Sequence, residues 1–182
     1  LSTAARESID GWNGEGTAEA PYQVATAEDL QRLIALCNSD GGEYAEFADK
    51  HYLQIADIDM VQIAIQPIGL SEQSPFRGVY DGGGHTIGNF TLTNCESGAC
   101  GLFGYLDGAT VKDIHLEECE YSASGLHAGG VAGVAKQSVI RGCTFEGSLV
   151  GTAETEFDGY AVSDVGGIIG YALDSEIAGC TL

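Results

Sequence analysis

The chain has 182 residues, of which 27 are Asp or Glu and 7 are Lys or Arg, so its formal net charge is -20. A surface this negative repels phosphate backbones and anionic lipid headgroups, which excludes nucleic acid as a partner. Hydrophobic residues make up 44% of the chain, which argues against disorder and for one folded domain or one piece of a repeat array. No apolar run reaches the roughly 18 residues of a membrane span, so we expect no direct membrane insertion.

The first predicted element is an amphipathic helix from about residue 27 to residue 37. The stretch Thr26-Ala-Glu-Asp29 resembles a capping box with Asp in place of Glu. Apolar residues follow it at helical spacing, namely Leu30, Leu33, Ile34 and Cys37. We expect this helix to cover the open end of a repeat structure, within a cap segment of residues 1–50, and Cys37 to be a buried free thiol.

A six-residue pattern then recurs: apolar, variable, Asp/Asn/Gly, apolar, polar, apolar. It occurs at Ile55–Met60, Ile87–Leu92, Val111–Leu116, Ile140–Phe145 and Ile177–Leu182. Repeats this short cannot close a core alone and bury their apolar faces by stacking on their neighbours. The pattern therefore predicts an all-β fold, a parallel β-helix of about five coils over residues 51–182, which we expect to be truncated at its C-terminal end.

A second repeat consists of short apolar strands held between glycines. Its three copies are GLFGYL at 101–106, GGVAGVA at 129–135 and VGGIIGYA at 165–172. Glycine allows tight turns and a close approach of neighbouring backbones. The repeating unit is therefore predicted to be strand, turn, strand and loop.

The third position of each six-residue segment is predicted to bend the strand, because its residue types tolerate a left-handed or bulged backbone. These positions are Asp57, Asn89, Asp113, Gly142 and Gly179. Stacked segments would give an inward column of Ile58, Phe90, Ile114, Cys143 and Cys180. They would also give an outward column of Asp59, Thr91, His115, Thr144 and Thr181.

The order of several motifs resembles that of bacterial extracellular proteins with GLUG-type repeats. These motifs are GEGTAEAPYQVATAEDLQRLIAL (14–36), YLQIADIDM (52–60), QPIG (66–69), PFRGVYDGGGHTIGNFTL (75–92) and GLFGYL (101–106). The resemblance implies a right-handed parallel β-helix in a secreted or surface-attached bacterial protein, often one module of a long adhesin, protease or carbohydrate-associated polypeptide. It implies no catalytic residues. The acidic excess and the insertion between Gly151 and Val165 depart from plainer repeats.

The sequence leaves two enzymatic interpretations open, a polysaccharide lyase and a glycosidase. Lys112 and Arg141 are predicted to lie in one column on adjacent coils, where two cations could hold a carboxylate. A glycosidase needs two carboxylates about 5 to 10 Å apart, and Asp57 with Asp59 is the nearest such pair in sequence. We favour a structural role for these acids and a solvated face for the two cations, because no nucleophile with a base can be assembled from the sequence.

Calcium is a possible cofactor, because hard cations take oxygen ligands. The candidate ligands are Asp57 with Asp59, Asp40 with Glu43, and the acids of the insertion, namely Glu154, Glu156 and Asp158. None of these clusters has the spacing of an EF-hand or a nonapeptide calcium repeat.

The cysteines leave several pairings open. Cys95 and Cys119 each follow a segment by three residues, so they could face each other on successive coils about 4.8 Å apart, inside the Cα window of a disulfide. Cys143 and Cys180 share the inward column, and Cys95 could instead close a small loop with Cys100. Inward cysteines also serve as plain apolar filler.

We expect a non-catalytic adhesion or stalk module of a longer, secreted or surface-attached bacterial protein. The candidate ligand face is the outward Thr91, His115 and Thr144 with Lys112 and Arg141. Its partner would be a carbohydrate or a protein surface, and further repeats of the same polypeptide would follow. The alternatives are a polysaccharide-processing β-helix enzyme and a calcium-stabilised surface scaffold.

Overall fold

The computed structural model describes residues 11–39, 41–93, 95, 98–123, 127–151 and 164–182. Strands dominate these residues, and every pairing between named strands is parallel. The fold is therefore all-β in character, as predicted.

The predicted helix is confirmed at its predicted bounds, as α1 (Ala27–Cys37). The capping box is present, since the Asp29 amide donates to Thr26 Oγ1 over 3.2 Å and the Thr26 amide donates to Asp29 Oδ2 over 3.2 Å. The apolar stripe is buried at all four of its positions, and Cys37 is a free thiol. A second short helix, α2 (Gly42–Phe47), was not predicted.

The strands form three sheets. The first contains β1 (Tyr22–Val24), β2 (His51–Gln54), β3 (Ile58–Ile65), β4 (Val79–Leu92), β7 (Thr110–Ala123), β10 (Val139–Arg141), β11 (Thr144–Gly151) and β14 (Glu176–Ala178). The second contains β5 (Ala99–Cys100), β8 (His127–Gly129) and β12 (Asp164–Gly166). The third contains β6 (Phe103–Asp107), β9 (Ala132–Lys136) and β13 (Ile169–Leu173).

Within each sheet the strands follow one another in chain order. The first sheet runs β1-β2-β4-β7-β10-β14, with β3 beside β4 and β11 beside β7; the second contains β5-β8-β12 and the third β6-β9-β13. From β4 onward the chain thus visits the three sheets in turn and returns one strand further along each time, whereas β1 to β4 all belong to the first sheet. We call each such passage a rung. The first strand, β1, lies inside the segment predicted as a cap.

The register confirms part of the predicted stacking and corrects the rest. Ile140 pairs with Val111 on one side and Ile177 on the other. Ile87, however, pairs with Leu116, and Val111 pairs with Tyr80. The long strands β4 and β7 each bend twice, near Gly83 and at Asn89 in β4 and at Asp113 and Glu118 in β7, and the parts before and after the first bend carry similar apolar patterns. The six-residue sequence pattern instead matched Ile87–Leu92 of β4 with Val111–Leu116 of β7.

Both predicted columns must be redrawn for this reason. Ile58 pairs with Ile87, and Phe90 pairs with Cys119, so neither lies beside Ile114 in an inward column. All of these residues are nevertheless buried. The apolar alternation therefore identified the core correctly while the stacking partners were wrong.

The bends are left-handed at four of the five predicted positions. The φ angles are 62° at Asn89, 52° at Asp113, 62° at Gly142 and 62° at Gly179. Asp57 is not among the residues with positive φ. Further bends occur at residues that the pattern did not indicate, namely Val61, Gln62, Glu118, Gln137 and Asp174.

The core lies between the three sheets, and the buried apolar stripe of α1 packs into the same core. It contains a series of aromatic rings in contact, in which Phe76 lies 6.1 Å from Tyr52 and 5.2 Å from Phe103 between ring centroids. The second and third sheets approach each other closely at glycine. A Cβ placed on Gly133 would lie 2.6 Å from the backbone nitrogen of Cys100. The glycine-bounded repeat therefore marks a close backbone approach, as predicted.

Candidate functional site

A surface groove lies beside the second bend of the first sheet. Its first part has a volume of about 370 Å³ and is lined by Asp57, Ile58, Asp59, Thr86, Gly88, Asn89, Glu117 and Glu118. Its second part has a volume of about 340 Å³ and is lined by Gln62, Asn89, Phe90, Thr91, Glu118 and Glu120. The two parts share Asn89 and Glu118, and we call them together the acidic groove.

The two candidate acids Asp57 and Asp59 both line this groove, and both bind groups of this chain. Asp57 Oδ1 accepts the Thr86 amide over 2.9 Å and lies 3.2 Å from His85 Nδ1. These contacts, with the amide first, lower the pKa of Asp57. Asp59 Oδ1 accepts the Val61 amide over 2.8 Å and the Asn89 side-chain amide over 3.1 Å. The two carboxylates thus link neighbouring rungs at the bend.

Register brings the acids of the groove together. Gly88 pairs with Glu117 and with Asp59, and Glu117 pairs with Glu146 on the next rung. Like charges on directly opposite positions destabilise a sheet. An arrangement that brings acids together on an exposed face therefore presents oxygen acceptors to solvent at a cost in stability.

The predicted outward column is only partly assembled. His115 pairs with Thr144, and its Nδ1 lies 2.8 Å from Thr144 Oγ1. Thr144 in turn bridges to Thr181, and on the other side His115 pairs with Thr86. Thr91 pairs with Glu120 instead, so it lies in another column and lines the second part of the groove.

Asp59 is likewise outside this column, because it pairs with Gly88. Thr86 was missed by the sequence reasoning. Thr86 follows the first bend of β4 and pairs with His115. The sequence pattern would have placed it in the outward column if that bend had been recognised.

The two candidate cations are adjacent but are not both available for a ligand. Arg141 pairs in register with Lys112, and Lys112 pairs with Asp81. The Lys112 ammonium lies 2.7 Å from Asp81 Oδ2. Lys112 is therefore already paired with a carboxylate of this chain.

The cysteines resolve into one disulfide and four free thiols. Cys95 is bonded to Cys100, with their Cα atoms 4.9 Å apart, so the small-loop pairing is the one formed. The alternative pairing of Cys95 with Cys119 is wrong. It assumed that Ile87–Leu92 stacks on Val111–Leu116, whereas Phe90 is the residue that pairs with Cys119. Cys143 and Cys180 are also free, so the inward bond between them is not formed.

Burial raises the pKa of the Cys37, Cys119 and Cys143 thiols to about 12. Their thiolates are therefore scarce at neutral pH, and reactivity requires the thiolate. The three thiols act as small apolar side chains in the core.

Among the described residues no group of three or more His, Cys, Asp or Glu side chains is arranged to hold a metal ion. Asp57 and Asp59 use their Oδ1 atoms to bind amide and imidazole groups of this chain. These contacts do not amount to a set of calcium ligands. The other candidates Asp40, Glu154, Glu156 and Asp158 lie outside the described residues.

Neither helix of the described structure is long and apolar enough to cross a membrane.

The fold and the groove define an all-β protein of parallel stacked strands with an acid-lined surface. No family model matches the chain, and no solved structure matches it. The chain is similar to Halomucin of Haloquadratum walsbyi, with 30% identity over 171 residues. The alignment covers 87% of this chain but only 2% of that protein, so the chain spans a very small part of its relative's length.

Proposed function

We propose that the chain is a non-catalytic adhesion or stalk module of a longer secreted or cell-surface polypeptide, built as a right-handed parallel β-helix of the GLUG-repeat kind. The observation that carries the proposal is the strand order. Three parallel sheets whose strands follow one another in chain order are what a solenoid produces. A solenoid is rigid along its axis and offers a long lateral surface for binding.

The similarity to halomucin supports the location, since a mucin is an extracellular protein and the aligned part is a small piece of a very long chain. The disulfide between Cys95 and Cys100 supports it independently. Disulfides form and persist in oxidising compartments such as the cell exterior.

The acidic groove is the proposed ligand surface. Carboxylate oxygens accept hydrogen bonds and cannot donate them, so the groove suits the hydroxyl or amino groups of a sugar, or a basic protein segment. A formal net charge of -20 disfavours polyanionic partners. We therefore propose neutral or amino-bearing carbohydrate as the ligand class.

The test is a glycan array probed with the purified protein and with Glu117→Gln and Glu118→Gln variants. Both residues line the groove. The matched control is Glu43→Gln, which makes the same charge change on α2. We expect binding to neutral or amino sugars that falls about tenfold with either groove variant, the effect of one lost charge-assisted hydrogen bond, and is unchanged by the control.

Two results would contradict the proposal. The first is binding that Glu43→Gln weakens as much as the groove variants do, which would reflect charge alone. The second is depolymerisation of a polysaccharide at a rate abolished by one acidic substitution, which would make the module an enzyme.

A further inference from the structure

One strand position in the acidic groove carries no side chain. Gly88 of β4 lines the first part of the groove, and its register partners are Asp59 in β3 and Glu117 in β7. Glu117 pairs in turn with Glu146 in β11. The same position of the sheet therefore carries an exposed acid on three strands and only a hydrogen atom on β4. We call this gap above Gly88 the notch.

Neither backbone conformation nor packing requires glycine at this position. Gly88 is not among the residues with positive φ. Apart from its own chain neighbours, the three atoms nearest to a Cβ on Gly88 would all belong to Glu117, and the closest is the carbonyl oxygen at 3.3 Å. At Gly133 and Gly170, by contrast, a Cβ would lie 2.6 Å from a backbone nitrogen. Glycine inside a strand weakens it and often marks the close approach of a ligand or of another backbone. No described backbone fills the notch, so a ligand is the remaining reason for the gap.

The notch has room for a group of side-chain size. It opens into the first part of the groove, which has a volume of about 370 Å³. Because neighbouring strands lie about 4.8 Å apart, the Cα atoms of Asp59 and Glu117 are separated by about 9.6 Å across Gly88. A small substituent of a ligand can therefore reach the Gly88 backbone with an acid on either side.

The walls of the notch offer hydrogen-bond acceptors. Asp59 Oδ1 accepts the Val61 amide and the Asn89 side-chain amide. Among the described residues, none donates to Asp59 Oδ2 or to the carboxylates of Glu117 and Glu118. An ionised carboxylate only accepts hydrogen bonds, whereas a primary ammonium group only donates them. Charge-assisted hydrogen bonds are about twice as strong as neutral ones, so these walls favour an ammonium group over a hydroxyl group.

We infer that Gly88 determines the specificity of the acidic groove, and that its notch binds the protonated primary amine of an unacetylated amino sugar between Asp59 and Glu117. N-acetylation removes the positive charge and enlarges the substituent, so the acetylated sugar is rejected on both grounds. A neutral hexose offers only hydroxyl groups to the same acids. The inference rests on the proposed carbohydrate ligand and narrows it to one class.

The test is an NMR titration of the purified chain with glucosamine, glucose and N-acetylglucosamine, in which the backbone amide of Gly88 is followed. It is run at about pH 6.5, where Asp and Glu side chains are ionised and a primary amine is protonated. We expect glucosamine to shift the amides of Gly88, Asp59 and Glu117. Its affinity should be at least about tenfold higher than that of either other sugar, the effect of one hydrogen bond to a charged group.

Two substitutions at Gly88 separate shape from charge, because both leave every acid of the groove in place. Gly88→Ala should weaken glucosamine binding at least about fivefold, since its methyl group occupies the space of the amine. Gly88→Val, which fills the notch, should abolish measurable binding. Gly88→Ala should melt within about 4 °C of the original chain, because the position has room for a Cβ and alanine costs less backbone entropy than glycine. The matched control is Gly42→Ala, which adds the same methyl group on α2 and should leave the affinity unchanged.

Three results would overturn the inference. They are a Gly88 amide that glucosamine does not shift, an affinity for glucosamine that Gly88→Ala leaves unchanged, and equally tight binding of N-acetylglucosamine. Melting of Gly88→Ala more than about 4 °C below the original chain would also overturn it, because the glycine would then be required by packing.

The glycan array distinguishes this failure from failure of the proposed function. Array binding of neutral sugars that Glu117→Gln weakens, together with no response of Gly88 to glucosamine, would keep the groove as the ligand surface and remove only the amine from the notch. A silent array together with a glucosamine response that Gly88→Ala weakens would keep the amine site and remove the adhesion role. Failure of both measurements would remove both proposals.

Discussion

Replacing Gly133 with alanine should lower stability by forcing two sheets apart. Gly133 lies in β9, and a Cβ on it would lie 2.6 Å from the Cys100 nitrogen, 2.7 Å from the Ala99 Cβ and 2.9 Å from the Ala99 carbonyl carbon. Ordinary contacts between heavy atoms are about 3.5–4.0 Å. Two of the three atoms belong to the backbone, which cannot rotate away, so relief requires β5 or β9 to move.

The expected cost is about 3 kcal/mol, at the upper end of the range for an overpacked core, because the strands are also held by their own pairing. For a chain of this size 1 kcal/mol changes the melting temperature by about 2–4 °C. Gly133→Ala should therefore melt about 6–12 °C below the original chain.

The assay is thermal unfolding followed by circular dichroism, and the matched control is Gly42→Ala. Gly42 begins α2, and a Cβ there meets no atom within 4 Å. Removing its backbone freedom should be neutral or stabilise by up to about 1 kcal/mol. A Gly133→Ala chain that melts within about 2 °C of the original would refute the close approach of the sheets.

Three further predictions concern the cap, the core and the thiols. Thr26→Ala removes the side-chain acceptor of the capping box and should cost about 1 kcal/mol in denaturant unfolding; a change below about 0.3 kcal/mol would show that the cap contributes nothing. Tyr80→Phe removes the hydroxyl that donates to buried Gln54 Oε1 and should cost about 1–3 kcal/mol, a loss that would be absent if the amide were solvated. Ellman's reagent should label Cys180 first, because the other three free thiols are buried, and labelling of all four at one rate would contradict this burial.

Local signals allowed the helix to be predicted from the sequence. A capping residue, an acidic third position and an apolar stripe all lie within Thr26 to Cys37. Each of these signals acts over one helical turn, so no knowledge of distant contacts was needed. The left-handed bends at Asn89 and Gly142 were predictable for the same reason, since residue type limits the backbone locally.

Register could not be predicted because it depends on contacts across a few dozen residues. A strand that bends, such as β4, has similar apolar patterns before and after the bend, so the pattern alone does not decide which part pairs with Val111. The observed register places the bends side by side, since Gly83 in β4 and Asp113 in β7 both have positive φ. The run of glycines before His85 marks the bend of β4 in the sequence, and the six-residue pattern did not include it.

The acidic groove also combines residues that local sequence signals indicate with residues whose position depends on strand register. Asp57 and Asp59 could be singled out because acids that flank a bend are visible in sequence, and both line the groove. Their neighbours Glu117 and Glu118 come from another rung. Once the register was misplaced by half a strand, no count of residues could bring these four side chains together.

The most direct test of the stacked arrangement is a set of nuclear Overhauser effects between side-chain methyl groups in the folded chain. Ile140 lies between Val111 and Ile177 on neighbouring strands, at a strand spacing of about 4.8 Å. We expect strong effects from Ile140 to both neighbours and much weaker ones between Val111 and Ile177. Strong contacts of Val111 with Ile87 instead, or the close Hα–Hα contacts of antiparallel strands, would contradict the stacked parallel fold.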